Sequence, residues 1–225
     1  MLKNKIITHS LCTMFFVAAP LAVAVTIGHA APPVTAWPDG NVKTIDYETH
    51  HTSTNLANGV YLDQGAWKTS IWPAASNGSY RYLTVSIDPQ RHGIAFWRVQ
   101  IPKTGWYKLE TTYLSGENRG PDADYAVYVN KTTDAVLNYT AKPVYSVIIN
   151  QHTTDLTNPW PSLGTYCLQA NDISMVVEDG RDDTYSDAVD ATRWTYMGEV
   201  YNSKKCGGSD LIPIIKPLLL KTKKG

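Results

Sequence analysis

An acidic run in the last quarter of the chain is the clearest group of residues that could do chemistry. Glu178, Asp179, Asp182 and Asp183 fall within six residues, and Asp187 follows. Clustered carboxylates on a loop suit calcium, which takes six to eight oxygen ligands, although this spacing is not that of an EF-hand. If the protein holds a metal, we predict calcium bound by Asp179, Asp182 and Asp183; a solvated hairpin loop is the alternative. No other cofactor is expected.

Catalytic motifs are missing from the sequence. Beyond residue 30 the histidines are His50, His51, His92 and His152, which lack the i, i+4 spacing of a zinc helix, and there is no Cys-x-x-Cys pair. The chain also lacks a Gly-x-Ser-x-Gly elbow, a phosphate loop and a dinucleotide fingerprint. Paired carboxylates can serve glycoside hydrolysis, so a hydrolase remains the alternative. We predict a protein that is not an enzyme and has no catalytic residues.

The aromatic residues favour binding to sugars. The chain has seven Trp and fourteen Tyr but only three Phe. Tyr and Trp suit surfaces that are half apolar and half wet, and the apolar faces of sugar rings stack on them. We predict Trp72, Trp106 and Trp160 as an aromatic platform, with Asn118 and Arg119 as hydrogen-bonding partners. The alternative is that these tryptophans cap the ends of the fold.

Short alternating runs separated by turn signals predict an all-β protein, a jelly-roll-like antiparallel β-sandwich forming a single domain. On the run from Trp106 to Leu114, alternation places Tyr107, Leu109, Thr111 and Tyr113 toward the core and leaves Trp106 partly exposed. The predicted strands are Tyr80–Ile87, Ile94–Ile101, Trp106–Leu114, Asp124–Asn130, Pro143–Gln151, Ser162–Leu168, Ile173–Glu178 and Ala191–Met197.

The first thirty residues resemble an export signal. Lys3 and Lys5 precede an uncharged apolar run, and Gly28-His29-Ala30 provides a small-residue cleavage site. We therefore predict removal of residues 1–30 and a secreted or periplasmic protein with no membrane insertion. Without the two lysines, 18 basic side chains face 20 acidic ones, a net charge of −2, which does not favour nucleic acid as a partner.

The rest of the chain divides by its patterns. We expect an irregular segment at 31–58, the β-sandwich at 59–206 and an extended tail at 207–225, which is apolar and contains Pro213 and Pro217. Cleavage leaves two cysteines, Cys167 and Cys206, and an even number in an exported chain predicts a disulfide. Two separate buried thiols are the alternative.

The order of several motifs resembles the golvesin C-terminal-like domain, also described as a xanthan-lyase carbohydrate-binding-like domain. The match starts with a Gly-x-Trp-x-x-Ser opening at Gly65–Ser70 and ends with the run Ser186–Val189. Between them lie the segments Asn77–Tyr82, Ala95–Trp97, Ile101–Tyr107, Tyr113–Arg119, Asn150–Gln151, Trp160 and Leu163–Thr165.

The sequence departs from that family pattern in two places. The segment Asp190–Trp194 is stretched, and the loop from Asp122 to Tyr139 is longer. The resemblance implies a jelly-roll-like sandwich that acts as a non-catalytic binding module for polysaccharide or glycoconjugate. The alternative is a secreted interaction or virulence-type protein that uses the same sandwich to bind a protein or a host surface.

Overall fold

The computed structural model describes residues 37, 40–84, 93–157, 159–180 and 185–207. The predicted export signal, Asp182 and Asp183, and all of the predicted tail except Gly207 lie outside these residues. The helical segments are α1 (Tyr47–His50), a 3₁₀ turn (Ser76–Gly78) and α2 (Thr133–Leu137). The strands are β1 (Val42–Asp46), β2 (Val60–Gln64), β3 (Trp67–Ile71), β4 (Ser79–Leu83), β5 (Gly93–Gln100), β6 (Gly105–Thr111), β7 (Ala123–Val129), β8 (Tyr145–Ile149), β9 (Ser162–Leu168), β10 (Ile173–Gly180), β11 (Ala188–Val189), β12 (Ala191–Gly198), β13 (Val200–Tyr201) and β14 (Lys204–Lys205).

Three antiparallel sheets and a short hairpin account for the described strands. A four-stranded sheet has the order β1-β12-β6-β9, and a five-stranded sheet has the order β2-β5-β10-β7-β8. A three-stranded sheet, β11-β4-β3, and the β13-β14 hairpin complete the set. All eight predicted strands are present, and the predicted all-β sandwich is confirmed.

The core lies between the inner faces of the sheets. Tyr107 and Leu109 of β6 are fully buried there, together with Trp97 of β5, so the predicted inward face of β6 is confirmed. The Trp194 indole N–H on β12 donates to the Ser174 hydroxyl on β10 at 2.9 Å, which satisfies a buried polar atom across the two layers.

The sandwich begins earlier than the sequence indicates. Residues 31–58 are not irregular throughout, because β1 pairs along its whole length with β12 and α1 follows it. The Asp46 carboxylate caps α1 by accepting from the Glu48 backbone N–H at 2.8 Å. Ile45 is fully buried in the main core, although its run is too short and polar for alternation to reveal it. Within the described residues, no helix has the length and apolar character needed to cross a membrane.

Candidate functional site

A pocket lies on the outer face of the five-stranded sheet. Two neighbouring rows of register partners form its base, since partners on adjacent strands share a face. The first row runs Ile94, Asp179, Asp124 and Ile148 across β5, β10, β7 and β8. The second row lies two residues further along, about 7 Å away, and contains Phe96, Val177, Ala126 and Ser146.

The short helix α2 closes one side of the pocket. Its Thr132 cap accepts from the Ala135 backbone N–H at 3.2 Å, and Val136 is buried against Ile94, Phe96 and neighbouring apolar side chains. The segment from Asp122 to Tyr139, which we expected to form a long loop, contains β7 as well as this helix, and α2 lies in the connection between β7 and β8.

Tyr139 stands just beyond the end of α2. Its backbone has a φ of +54°, the left-handed conformation in which helices usually place glycine. Its backbone N–H donates to Val136 at 2.9 Å, while Thr140 and Ala141 both donate to the Ala135 carbonyl at 2.9 Å. The ring is 60% exposed at the rim of the pocket. The left-handed conformation costs free energy for a residue with a large side chain, and a residue that bears such a cost is a candidate for function.

The cavity beneath this rim has a volume of about 70 Å³. A cavity needs about 10–15 Å³ to hold one water, so this one has room for more than one water or ligand oxygen. Its lining combines apolar side chains with acceptors and hydroxyls: Ile94, Asp124, Ala126, Tyr128, Val136, Tyr139, Ser146, Val177 and Asp179. Carboxylates accept hydrogen bonds from hydroxyl groups, and the Ser and Tyr hydroxyls both donate and accept. Such a lining fits the hydroxyl-bearing edge of a sugar with a ring face against Tyr139.

A buried pair of acids lies behind the pocket, on the core side of the same sheet. Glu178 alternates with Asp179 along β10, so its side chain faces inward, and it is fully buried. Burial, together with the negative charges of Asp187, Asp179 and Asp124, raises the pKa of Glu178 well above its usual range. The uncharged form of Glu178 is therefore favoured in the folded protein.

Asp187 lies in the interior between Ser186 and β11. It is 1% exposed, and its backbone carbonyl accepts from the Leu83 N–H at 2.9 Å. Neighbouring Ser186 forms a bridge to Arg119. The buried position fits a structural role for this family-like run.

The predicted exposure of Trp106 is wrong. Its ring is 2% exposed, because the β13-β14 hairpin covers the outer end of β6. The indole N–H donates to the Lys204 carbonyl at 2.9 Å, and the Tyr201 ring lies 6.0 Å away. The predicted disulfide between Cys167 and Cys206 is present with a Cα–Cα distance of 5.2 Å, and Cys167 is the register partner of Trp106. The bridge thus fastens the hairpin over the tryptophan, which leaves the ring unable to stack on a ligand.

Arg119 is an interior residue as well, and Asn118 separates from it. The Arg119 guanidinium is buried and donates to the Tyr80 hydroxyl at 2.9 Å, the Ser186 hydroxyl at 2.8 Å and the Leu114 carbonyl at 3.2 Å. These bonds tie the segment after β6 to β4 and to the residue before Asp187, and they hold the guanidinium in the interior, where a surface ligand does not reach it. Asn118 is exposed, and its backbone carbonyl accepts from the Ser186 N–H at 3.2 Å.

The structure places the other two tryptophans on different sheets. Trp72 follows β3 of the three-stranded sheet, is half-buried and packs on the core. Trp160 precedes β9 of the four-stranded sheet, with the Arg193 guanidinium 4.2 Å from its ring centre. The five predicted ligand residues are therefore spread over separate parts of the sandwich. Whether Trp72, Trp160 and Asn118 contact a ligand stays a prediction.

Only one of the three predicted calcium ligands is among the residues that the structure describes. Asp179 is in the pocket, whereas Asp182 and Asp183 fall outside the described residues. Across the described ranges, no group of three or more His, Cys, Asp or Glu side chains is arranged to hold a metal. The calcium site remains a prediction.

Sequence reasoning missed Asp124, Ser146 and Tyr139. The loop containing Tyr139 stood out in the sequence by its length alone, and α2 has only five residues, too few to show a helical period. The pairing of β7 with β8 and β10, which brings Asp124 beside Asp179, is a long-range contact that local patterns do not encode.

This fold defines the protein as an antiparallel β-sandwich with a small pocket on one sheet. The family model for the golvesin C-terminal domain matches residues 51–193, more than half of the chain. The chain therefore belongs to the golvesin C-terminal domain family.

Comparison with one solved structure agrees on the fold. A Paenibacillus xanthan lyase aligns with a TM-score of 0.53 and 13% identity over 70% of this chain, which corresponds to 13% of the length of that lyase. A family 35 carbohydrate-binding module from Clostridium thermocellum aligns with a TM-score of 0.44 and 16% identity, over 68% of this chain and 97% of that module. Comparison with curated proteins found no match.

Proposed function

We propose that the protein is a carbohydrate-binding domain that holds a sugar of a polysaccharide or glycoconjugate in the pocket beneath Tyr139. The observation that carries this proposal is the exposed tyrosine, held in a left-handed backbone conformation, above a cavity lined by carboxylates and hydroxyls. An aromatic face beside convergent hydrogen-bonding groups is the usual composition of a sugar site. Family membership supports a binding role, and the export-like first thirty residues support a role outside the cytoplasm.

We also propose that the protein binds its glycan without cleaving it. Glycoside hydrolysis needs a general acid with a raised pKa that reaches the scissile bond. Burial raises the pKa of Glu178, but this side chain is fully buried on the core side of the sheet and has no path to a ligand in the pocket. Asp124 and Asp179, which do line the pocket, serve as hydrogen-bond acceptors for sugar hydroxyls.

A glycan array on the purified protein, followed by calorimetry with the best ligand, tests the proposal. Tyr139→Ala should weaken binding by a factor of about two to ten, since one aromatic contact contributes about 0.5–1.5 kcal/mol. Tyr185→Ala is the matched control, because Tyr185 is 37% exposed and does not line the pocket. Absence of binding to any glycan, or equal losses in the two variants, would contradict the proposal.

A further inference from the structure

The outer face of the four-stranded sheet, across the core from the pocket, carries a group of charges. Alternation turns Trp106, Lys108 and Glu110 of β6 outward, because Tyr107 and Leu109 point inward. Glu110 is the register partner of Arg193, which lies beside it on β12, and Lys108 is the partner of Thr195. The side chains of Lys108 and Arg193 are 41% and 33% exposed.

Glu110 holds both cations in fixed positions. Its side chain is 7% exposed, and one oxygen contacts the Lys108 Nζ at 2.6 Å while the other accepts from the Arg193 Nε at 2.8 Å. Burial alone would raise the pKa of this carboxyl, but hydrogen bonds from Arg193 and Lys108 outweigh it and leave the pKa below its ordinary value. The carboxylate therefore remains charged and orients the two cations, and the Trp160 ring, 4.2 Å from the guanidinium, fixes Arg193 from another side.

The β13-β14 hairpin brings two further cations beside the outer end of β6. Its Lys204 carbonyl accepts from the Trp106 indole, so the hairpin sits over the end of the row that begins at Glu110. Lys204 and Lys205 are both exposed. Trp106, Lys108 and Glu110 are two residues apart, so the row covers about 14 Å along the strand. Exposed Glu199, between β12 and β13, is a second acid beside this hairpin, so four cations accompany two carboxylates.

We propose that this surface, which we call the basic face (Lys108, Arg193, Lys204, Lys205 and Trp160), is a second binding site, for an acidic polysaccharide. A guanidinium with one edge held by a carboxylate keeps further N–H donors for a second carboxylate, and arginine recognises carboxylates in two-point contacts. Because the cations come from β6, β12 and the β13-β14 hairpin, they fit a linear chain better than a single small anion. The Trp160 ring and the outward threonines of β9 and β12, Thr165 and Thr195, provide contacts to neutral sugar groups.

Polygalacturonate and its fully methyl-esterified form are suitable probes, because they share one backbone and differ in charge. Calorimetry at low salt should show binding of the acid form at least tenfold tighter than of the ester, and added salt should weaken it. Equal affinity for the two forms would overturn the proposal. Equal affinity for polyuridylate, whose charges are phosphodiesters, would also overturn it, since the surface would then respond to charge alone.

Substitutions locate the site. The double variant Lys204→Gln, Lys205→Gln should weaken polygalacturonate binding about tenfold, at about threefold for each exposed charge, and Lys108→Gln about threefold. Lys68→Gln is the matched control, because Lys68 is an exposed lysine on β3 of another sheet. Tyr139→Ala should leave this binding unchanged, so failure of the pocket and failure of the basic face are distinguishable. An equal loss with Lys68→Gln would refute the assignment.

Discussion

Replacing Tyr139 by glycine and by alanine tests the backbone geometry on which the pocket depends. At a φ of +54°, a residue with a Cβ costs about 1–2 kcal/mol, whereas glycine adopts this conformation freely. Both substitutions remove the ring, so lost packing cancels when the two variants are compared. Glycine is more flexible when unfolded, which offsets about 0.4–1 kcal/mol of its advantage. Tyr139→Gly should therefore be more stable than Tyr139→Ala by about 0.5–1 kcal/mol.

Thermal unfolding measures this difference as about 1–4 °C in Tm, since 1 kcal/mol shifts the Tm of a domain of this size by about 2–4 °C. Ala135→Gly, in the interior of α2, is the matched control and should lose about 0.5–1 kcal/mol relative to the native protein. Both Tyr139 variants should lose glycan binding equally. If the alanine variant is the more stable one, Tyr139 does not hold a left-handed conformation, and the argument that its exposure is functional fails.

Two further predictions concern buried groups. Because the folded-state pKa of Glu178 lies above its ordinary value of 4.5, the native protein keeps a proton that the unfolded chain releases, and its stability should fall as the pH rises above about 4.5. Glu178→Gln should remove this fall. Urea unfolding at pH 4 and pH 8 measures it, and an equal drop in the free energy of unfolding between the two pH values in both proteins would contradict the assignment. Reduction of the Cys167–Cys206 bridge should release the hairpin, expose Trp106 and lower the free energy of unfolding by about 2–5 kcal/mol. Tryptophan fluorescence should shift to the red, and acrylamide should quench it faster. An unchanged emission spectrum would show that the hairpin stays in place without the bond.

The sequence predicts the layers of this fold well because each long β-strand has a local signal, the alternation of apolar and polar residues. Alternation correctly turns Tyr107 and Leu109 inward, and the disulfide follows from simple cysteine arithmetic. The same reasoning fails for Trp106. Its position on the outer face is right, but its exposure depends on a hairpin about 95 residues later in the chain, whose short strands carry no recognisable pattern.

The candidate site was harder to predict for a related reason. Its polar residues come from three strands, and their proximity depends on which strands pair. Asn118 and Arg119 are adjacent in sequence, and both suit a ligand by type, yet one is exposed and the other is bound by Tyr80, Ser186 and Leu114. Residue type shows which groups a side chain can bind, whereas burial and existing partners decide whether a ligand can reach it.

The pairing of β1 with β12 sets the time at which this domain can fold. Val42 in the first strand lies opposite Thr195, about 150 residues later, so the four-stranded sheet has no complete form until nearly the whole sandwich has been synthesised. At about 5–20 residues per second, the first strand waits about 8–30 s for its partner. During that interval β1 exposes unpaired backbone groups and the apolar side chain of Ile45, and contacts this distant in sequence form slowly even afterwards. Folding is therefore an event that follows synthesis, and a chain that stops before β12 leaves its first strand without a place in any sheet.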